Sequence, residues 1–237
     1  MSRPRPPHIE AANSAWTFDD IAGKFDEHIA SSVPLYRQGH RQIAELAPFF
    51  LPKEGQVVEV GCSTGNLAAT LLQNNAGRED IHYLGIDPVP SMLEQAQAKL
   101  AEDTRASFQC IDLLGAELPE ADLVIAYYTM QFISPSVRQQ AYDKLYNSLR
   151  WGGALVLFEK VRAPDARFQD IASQLYSDYK LDNGFSGEAI INKSRSLKGV
   201  LEPFSTQGNL DLLARAGFSD VMTLAKWVNF EGFLAIK

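Results

Sequence analysis

A short stretch near residue 60 constrains the fold of this chain more than any other segment. The apolar, β-branched run from Val57 to Val60 passes directly into a turn that contains Gly61 and Gly65, and a helical sequence follows. Glycine has no Cβ, so the backbone can bend sharply there and come close to a ligand. The pattern predicts a strand, a tight turn and a helix that form a ligand-binding edge of an α/β fold.

Acidic residues end or interrupt three successive predicted strands. Glu59 lies in the apolar strand before the turn, where a carboxylate needs a hydrogen-bonding partner. Asp87 ends the next apolar run, about 20 residues after the turn, where nucleotide-binding βαβ units hold a ribose hydroxyl. Asp112 ends a third run. These three acids predict one polar site at the ends of neighbouring strands.

The spacing of the glycines separates this turn from other glycine-rich turns. Residues 59–66 contain neither the Gly-Lys-Ser/Thr of a phosphate-binding loop nor the Gly-x-Gly-x-x-Gly of dinucleotide-binding folds. The acid-x-Gly-x-x-x-Gly form resembles the class I S-adenosylmethionine-dependent methyltransferases. In those enzymes the acid after the third strand contacts the adenine, which implies that role for Asp112.

Apolar periodicity predicts the order of the strands. They fall near residues 56–61, 82–87, 106–111, 121–128, 154–160, 220–226 and 230–236. Helical sequence separates most of them, so the sheet is expected to be parallel and covered on both faces. Residues 227–229 are too short a connection for a crossover helix, so the last strand is expected to run antiparallel. The predicted fold is a seven-stranded, doubly wound, Rossmann-like α/β sheet.

Helix stops and the domain layout follow from glycines and chain length. Residues 150–153 and 216–218 each predict the end of a helix before a strand. The 237 residues suit one domain over residues 16–237, preceded by a disordered tail at residues 1–15. Residues 164–204 exceed an ordinary connection and are expected to form a helical cap over the site.

Composition argues against several classes of protein. The net charge of −7 disfavours electrostatically driven binding to nucleic acid, and no apolar run is long enough to span a membrane. Two cysteines and four histidines without ligand spacing predict neither a disulfide scaffold nor a metal site. We therefore expect a reduced, cytoplasmic setting and no metal.

Several segments resemble one branch of these methyltransferases, the carboxy-S-adenosyl-L-methionine synthases, in the same order over nearly the whole chain. The segments are residues 16–19, 32–36, 61–63, 129–132, 152–157, 159–160, 183–186 and 216–218. Such enzymes convert S-adenosylmethionine and prephenate into carboxy-S-adenosylmethionine and phenylpyruvate, for later use on the wobble uridine of transfer RNA. The resemblance implies a homodimer in which the cap approaches the partner's pocket. It also implies these ligand contacts: Tyr36, Gly61, Cys62, Ser63, Asp87, Asp112 and Leu113.

The chain departs from the family pattern at two positions. Tyr127 stands where the family carries asparagine, which places Tyr127 among the candidate cofactor contacts. Ser194 aligns with an arginine that binds the added carboxylate, and Arg195 follows one position later. Arg195 is therefore the candidate carboxylate-binding residue, because loops tolerate one-residue shifts. The alternative is that residues 193–196 form a solvated basic turn. Arg37 or Lys160 is the alternative cation.

The positions of the remaining candidates along the predicted strands and helices indicate their roles. Tyr127 and Tyr128 end the fourth strand, so alternation predicts that one faces the pocket and that the other packs outside. Lys160 could simply pair with its neighbour Glu159. Two histidines, His28 and His40, occur in amphipathic helical sequence, which favours surface or capping roles, and no general base is assigned.

Three functions remain open at this point. The first is transfer of the methyl group of S-adenosylmethionine to a small molecule, which needs positioning more than acid–base groups. The alternative is carboxy-S-adenosylmethionine synthesis from prephenate. The third is a catalytically silent S-adenosylmethionine-binding subunit. Cofactor binding is expected to fail in Gly61→Val without loss of folding, since the added side chain would clash with the ligand.

Overall fold

The computed structural model describes residues 22–237. The expected disordered tail at residues 1–15 and the family-like segment at residues 16–19 lie outside this range. None of the helices in the described range is long and apolar enough to cross a membrane.

The described part of the chain alternates helices with strands. Two helices come first, α1 (Ala22–Ser32) and α2 (Tyr36–Leu46). The first half of the sheet and its helices follow as β1 (Gln56–Val60), α3 (Asn66–Asn74), β2 (His82–Asp87), α4 (Pro90–Lys99), β3 (Ala106–Cys110) and β4 (Ala121–Tyr127). The second half consists of α5 (Arg138–Ser148), β5 (Leu149–Lys160), α6 (Ala166–Asp182), α7 (Gly187–Ser196), α8 (Thr206–Ala216), β6 (Asp220–Trp227) and β7 (Phe230–Ile236).

The strands form one seven-stranded sheet in the order β3-β2-β1-β4-β5-β7-β6. Strands β1 to β5 pair in parallel, whereas β7 runs antiparallel to both β5 and β6. The predicted doubly wound α/β sheet with an antiparallel last strand is confirmed. Its order reverses beside β1, and such a switch point places a crevice at the carboxyl ends of β1 and β4.

Apolar side chains cover both faces of the sheet. Adjacent residues of β1 divide between the faces, since Val57 packs with α2 and α3 and Val58 packs with α5 and α8. This alternation in a strand buried on both sides explains why the sequence shows a continuous apolar run. The helices fix the sheet rigidly, so that side chains at its carboxyl edge have defined positions.

The structure corrects one predicted helix end and confirms the other. Helix α5 ends at Ser148, and residues 150–153 already belong to β5. The pairing with β4 shifts register there, and Gly152 has a φ of 80°, so these glycines form an irregular strand start instead of a helix stop. At the second site, α8 does end before Gly217, whose φ is 121°.

The long segment between β5 and α8 is helical, as predicted. The carboxylate of Asp165 caps α6 by accepting a hydrogen bond from Phe168 N at 3.0 Å. The hydroxyl of Ser186 caps α7 by accepting one from Ala189 N at 3.1 Å. We call α6, α7 and the residues between them the roof.

Replacing Gly65 with alanine is expected to destabilise the fold. Gly65 precedes α3 with a φ of 73°, and an added Cβ would lie 2.9 Å from Cβ of Ala96 on α4. Backbone strain and the forced shift of the two helices should lower the free energy of unfolding by about 1–3 kcal/mol. Denaturant unfolding measures the loss. Gly77→Ala is the control, because a Cβ there meets no atom within 4 Å, and a similar loss in both variants would contradict the explanation.

Candidate functional site

A cavity of about 910 Å³ opens at the carboxyl ends of the parallel strands. Residues that follow β1, β2 and β4 form its base, α1 and α2 form one side, and the roof covers it. This is the crevice that the switch point of the sheet predicts.

Eight of the candidate residues line this cavity. They are Tyr36, Glu59, Gly61, Cys62, Ser63, Asp87, Tyr127 and Tyr128. The sequence places these residues in four separate segments, and the fold brings them to one edge of the sheet.

Three candidates from the glycine turn and the third strand do not line the cavity. The backbone of Gly65 lies against α4, so the absence of a side chain there allows α3 and α4 to pack closely. Leu113 is buried in the apolar core against the sheet. Asp112 is exposed, and its Oδ1 accepts hydrogen bonds from Leu114 N at 2.9 Å and Gly115 N at 3.1 Å. Asp112 thus stabilises its own turn outside the cavity.

The structure places Arg195 on the side of α7 that faces away from the cavity. Its side chain is exposed and is not among the lining residues. On α7, Ile190, Lys193 and Ser194 face the cavity together with Leu197 just after the helix. Helical periodicity turns Arg195 away from this face. The alternative Arg37 is also exposed and outside the lining, whereas Lys160 does line the cavity.

The glycine turn is held by the neighbouring strand and by a threonine. Gly61 has a φ of 72°, and its N–H donates to Ile86 O at 2.8 Å. A Cβ at Gly61 would collide with the side chain of Thr129, whose Oγ1 donates to Val60 O at 2.9 Å. The expectation that Gly61→Val would clash only with a ligand is therefore corrected, because the clash already exists within the protein.

Asp87 links the glycine turn to the loop after β2. Its Oδ2 accepts a hydrogen bond from Ser63 N at 2.9 Å and its Oδ1 accepts one from Val89 N at 2.9 Å. Burial raises the pKa of this carboxyl, and the two backbone N–H groups lower it. Each oxygen retains a second acceptor position. Asp87 can therefore support the turn and accept hydrogen bonds from a ligand at the same time.

Glu59 provides a second buried carboxyl in the cavity wall. The hydroxyl of Tyr83 donates to its Oε2 at 2.5 Å. Burial raises the pKa of Glu59 to about 8, with the nearby Asp87 contributing to the rise and the hydrogen bond from Tyr83 opposing it. A cation beside Glu59 would reverse this shift by favouring the ionised form. The acid pair makes this end of the cavity suited to a positively charged ligand group.

Both tyrosines after β4 face the cavity, contrary to the expected alternation. Tyr127 is the last residue of the strand, and Tyr128 has a φ of 59°. This left-handed conformation breaks the period-two pattern, so the second ring does not turn to the opposite side. A bulky residue held there indicates strain at the site.

The two helical histidines are buried, not on the surface as the sequence suggested. His28 and His40 are 7% and 5% exposed, and both line the cavity. Sequence periodicity alone could not show that α1 and α2 lie against the open edge of the sheet. Burial lowers the pKa of His40 to about 4, so its imidazole is neutral at pH 7.

Cationic side chains gather at the roof end of the cavity. The group consists of Lys160, Arg162, Lys180 and Lys193, all lining residues, and we call it the cationic end. The sequence did not predict this group, because the roof helices come from a distant segment. The one member that the sequence singled out was Lys160.

Two of these ammonium groups lie close to one tyrosine ring. The Nζ atoms of Lys160 and Lys180 lie 4.4 Å and 4.2 Å from the ring centroid of Tyr176. Within residues 22–237, neither ammonium pairs with a carboxylate. Glu159 does not pair with Lys160 and instead interacts with backbone N–H groups of Met130 and Gln131.

The lysines of the cationic end have lowered pKa values. Burial, together with the charges of Lys180 and Arg162, lowers the pKa of Lys160 to about 8, and burial lowers the pKa of Lys180 to about 8. Burial and Lys180 together lower the pKa of Lys193 to about 6. An anion bound among these groups would raise all three values. The cavity thus has an acidic end at the sheet and a cationic end at the roof.

No group of three or more histidine, cysteine or acidic residues that could hold a metal ion occurs among the described residues.

Comparisons with known proteins agree with this geometry. Residues 58–155 match a family model described as a methyltransferase domain. The carboxy-S-adenosyl-L-methionine synthase of Staphylococcus epidermidis is 34% identical over 94% of this chain and 97% of that protein. The protein of the same name from Wolinella succinogenes is 36% identical over 96% of each chain.

Solved structures show the same fold. A S-adenosylmethionine-dependent methyltransferase from Thermotoga maritima superposes with a TM-score of 0.60 at 18% identity, over 93% of this chain and 98% of that chain. Such low identity supports the architecture, while the whole-length relatives establish the family. The chain belongs to the carboxy-S-adenosyl-L-methionine synthase family of the class I S-adenosylmethionine-dependent methyltransferases, and it is an S-adenosylmethionine-dependent transferase.

Proposed function

We propose that this chain transfers the methyl group of S-adenosylmethionine to a small anionic molecule. The observation that carries the proposal is the charge layout of one continuous cavity, with Glu59 and Asp87 at the sheet and the cationic end at the roof. A cofactor with a sulfonium and an ammonium group suits the acids. An anionic acceptor suits the lysines.

The cofactor contacts follow the edge of the sheet. We assign Asp87 to the ribose hydroxyls and Glu59 to the ammonium group, with backbone contacts from the glycine turn. The other proposed contacts are Tyr36, Gly61, Cys62, Ser63 and Tyr127, which all line the cavity. When bound, S-adenosylmethionine supplies a methyl carbon that accepts an electron pair from the acceptor while the carbon–sulfur pair stays on sulfur.

The residues of α7 favour methyl transfer over synthesis of carboxy-S-adenosylmethionine. Ser194 lines the cavity at the position where the family arginine would bind the added carboxylate, and Arg195 points away. A serine hydroxyl cannot offer the charged, bidentate fork of a guanidinium. The site therefore lacks the expected partner for carboxy-S-adenosylmethionine.

Carboxy-S-adenosylmethionine synthesis from prephenate is the second candidate. Two observations favour it, namely the names of the whole-length relatives and the cationic end, which suits a molecule with two carboxylates. In that case Lys160 would replace the arginine as the cation that holds the migrating carboxyl.

Transfer of an isotope-labelled methyl group tests the proposal. The protein is incubated with methyl-labelled S-adenosylmethionine and a panel of small aromatic and aliphatic carboxylates, with their neutral amides as matched controls. We expect label in one class of carboxylate, S-adenosylhomocysteine in equal amount, and none in the amides. Equal labelling of the amides would contradict an anionic acceptor, and no labelling of any acceptor would contradict methyl transfer to this substrate class.

Cofactor binding is expected to release a proton from Glu59. Because the pKa of Glu59 is raised to about 8, most of this carboxyl is protonated at pH 7 in the free protein. A cationic ligand binds the ionised form better, so affinity should rise as the pH increases from about 6 to 9. Calorimetry at pH 7 in buffers with different ionisation enthalpies measures the released proton. Glu59→Gln should abolish that release, and an unchanged release in this variant would assign the proton to another group.

Three wider features are part of the proposal. Residues 16–237 form one domain with residues 164–204 as its cap, the protein is a homodimer, and it works in the cytoplasm without binding nucleic acid directly. The homodimer rests on family resemblance and is tested by sedimentation equilibrium. A monomer at micromolar concentration would contradict it.

A further inference from the structure

Four aromatic rings line one side of the cavity. They belong to Tyr36, His40, Tyr127 and Tyr128, and we call them the aromatic wall. Tyr36 and His40 are one turn apart on α2, with ring centroids 4.5 Å apart. Tyr127 lies 5.3 Å from Tyr36, 4.8 Å from His40 and 4.8 Å from Tyr128. The wall joins the second helix to the end of the fourth strand.

A glycine on α2 makes room for the central ring. A Cβ at Gly39 would overlap the hydroxyl of Tyr127, so only glycine permits this packing. The same hydroxyl donates to Tyr36 O at 2.7 Å. Because the hydroxyl of Tyr127 is bonded to α2, its ring is fixed in the wall. The position and orientation of the wall are thus determined before any ligand binds.

The charges around the wall favour a cation over an anion. Glu59 lines the same cavity as the wall, and its charge adds to the effect of burial, which raises the pKa of the Tyr36 phenol. His40 adds no positive charge, because burial lowers its pKa to about 4. The ammonium groups of Lys160 and Lys180 lie instead over Tyr176, in the roof. The faces of aromatic rings carry negative potential and attract cations, most strongly where water is excluded.

The wall and Asp87 lie on opposite sides of the glycine turn. The glycine turn follows β1, Asp87 follows β2, and the two tyrosines follow β4 on the other side of β1. A nucleoside held by Asp87 on the β2 side would therefore bring its sulfur to the wall by extending across β1 toward β4.

We propose that the aromatic wall binds the sulfonium cation of S-adenosylmethionine and that Tyr127 makes the site selective for this cation. The uncharged sulfur of S-adenosylhomocysteine lacks the attraction, so the product should leave more readily. The added carboxylate of carboxy-S-adenosylmethionine would cancel the positive charge beside the rings. This inference rests on the proposed use of S-adenosylmethionine as methyl donor.

Calorimetry of three ligands tests the wall without measuring turnover. S-adenosylmethionine, S-adenosylhomocysteine and carboxy-S-adenosylmethionine are titrated into wild type, Tyr127→Leu and Tyr127→Phe. Wild type is expected to prefer S-adenosylmethionine over the other two. Leucine keeps apolar bulk but removes the π face, so the preference over S-adenosylhomocysteine should fall by about three- to tenfold. Phenylalanine keeps the face and should keep the preference.

Control variants separate the wall from general effects on folding. Tyr146→Leu removes a ring that packs on Phe218 outside the cavity and should leave the preference unchanged. Should Tyr127→Leu fail to fold, Tyr36→Leu at the rim of the wall gives the same comparison. Equal weakening of S-adenosylmethionine and S-adenosylhomocysteine in these variants would overturn the proposal, since it would show a role in shape alone.

The outcome is distinguishable from failure of the proposed function. If wild type selects S-adenosylmethionine through Tyr127 but labels no acceptor, the result would support the role of the aromatic wall and contradict methyl transfer. A wild-type protein that binds carboxy-S-adenosylmethionine best would overturn the wall as a selector, whatever the reaction.

Discussion

Asp87→Ala is expected to weaken S-adenosylmethionine binding by about ten- to hundredfold, corresponding to the loss of about 1.5–3 kcal/mol from charged hydrogen bonds. Two effects combine in this variant. The ribose hydroxyls lose their acceptor, and the N–H groups of Ser63 and Val89 lose the carboxylate that holds the glycine turn. Calorimetry measures the affinity, and thermal unfolding of the free protein separates binding from stability.

Asp87→Asn is an intermediate variant that tests the same prediction. An amide can still accept one of the two backbone hydrogen bonds, so its affinity should fall between wild type and Asp87→Ala. Asp211→Ala on α8 is the control, since this residue is exposed and lies outside the cavity. Unchanged affinity in a folded Asp87→Ala protein would show that Asp87 only supports the loop before α4.

Lys160→Met is expected to abolish most of the binding of a small carboxylate. The ammonium of Lys160 is half-buried over Tyr176 and has no carboxylate partner within residues 22–237. Phenylpyruvate, titrated into protein saturated with S-adenosylhomocysteine, should lose about ten- to hundredfold in affinity. The same variant should unfold at a higher temperature, because an unpaired, partly desolvated charge is removed.

The pH dependence gives this prediction a second readout. The pKa of Lys160 is lowered to about 8 in the free protein, so the cation is lost as the pH rises through 8. Binding of phenylpyruvate should therefore weaken from pH 7 to pH 10 in wild type and by less in Lys160→Met, where Lys180 still loses its charge over this range. Arg195→Met is the matched control, because it removes an exposed cation outside the cavity. An equal loss in this control would point to a long-range effect of charge.

Local sequence was sufficient where a residue's role depends on its own strand and turn. The run before Gly61 predicted β1, its turn and the position of Glu59, because all three lie within a few residues. Asp87 could be placed for the same reason, since a parallel sheet brings the carboxyl ends of β1 and β2 to one edge. The antiparallel last strand followed from a connection too short for a helix.

The features of the site that the sequence did not predict depend on packing between distant segments. The sequence could not show which face of α7 meets the cavity. Lys193 and Ser194 line the cavity, whereas the candidate Arg195 does not. The left-handed backbone at Tyr128 breaks strand alternation, and no local pattern signals it. Likewise, the collision that a side chain at Gly61 would make with Thr129 joins residues far apart in the chain.

Mass spectrometry of the nucleoside products is the most direct test of the central claim that this chain uses S-adenosylmethionine as a methyl donor. Wild type is incubated with S-adenosylmethionine and the carboxylate that accepts the label in the transfer experiment, with and without prephenate. The account predicts S-adenosylhomocysteine in amounts equal to methylated acceptor, unaffected by prephenate. Formation of carboxy-S-adenosylmethionine only when prephenate is present, with phenylpyruvate in equal amount and no methylated acceptor, would contradict it.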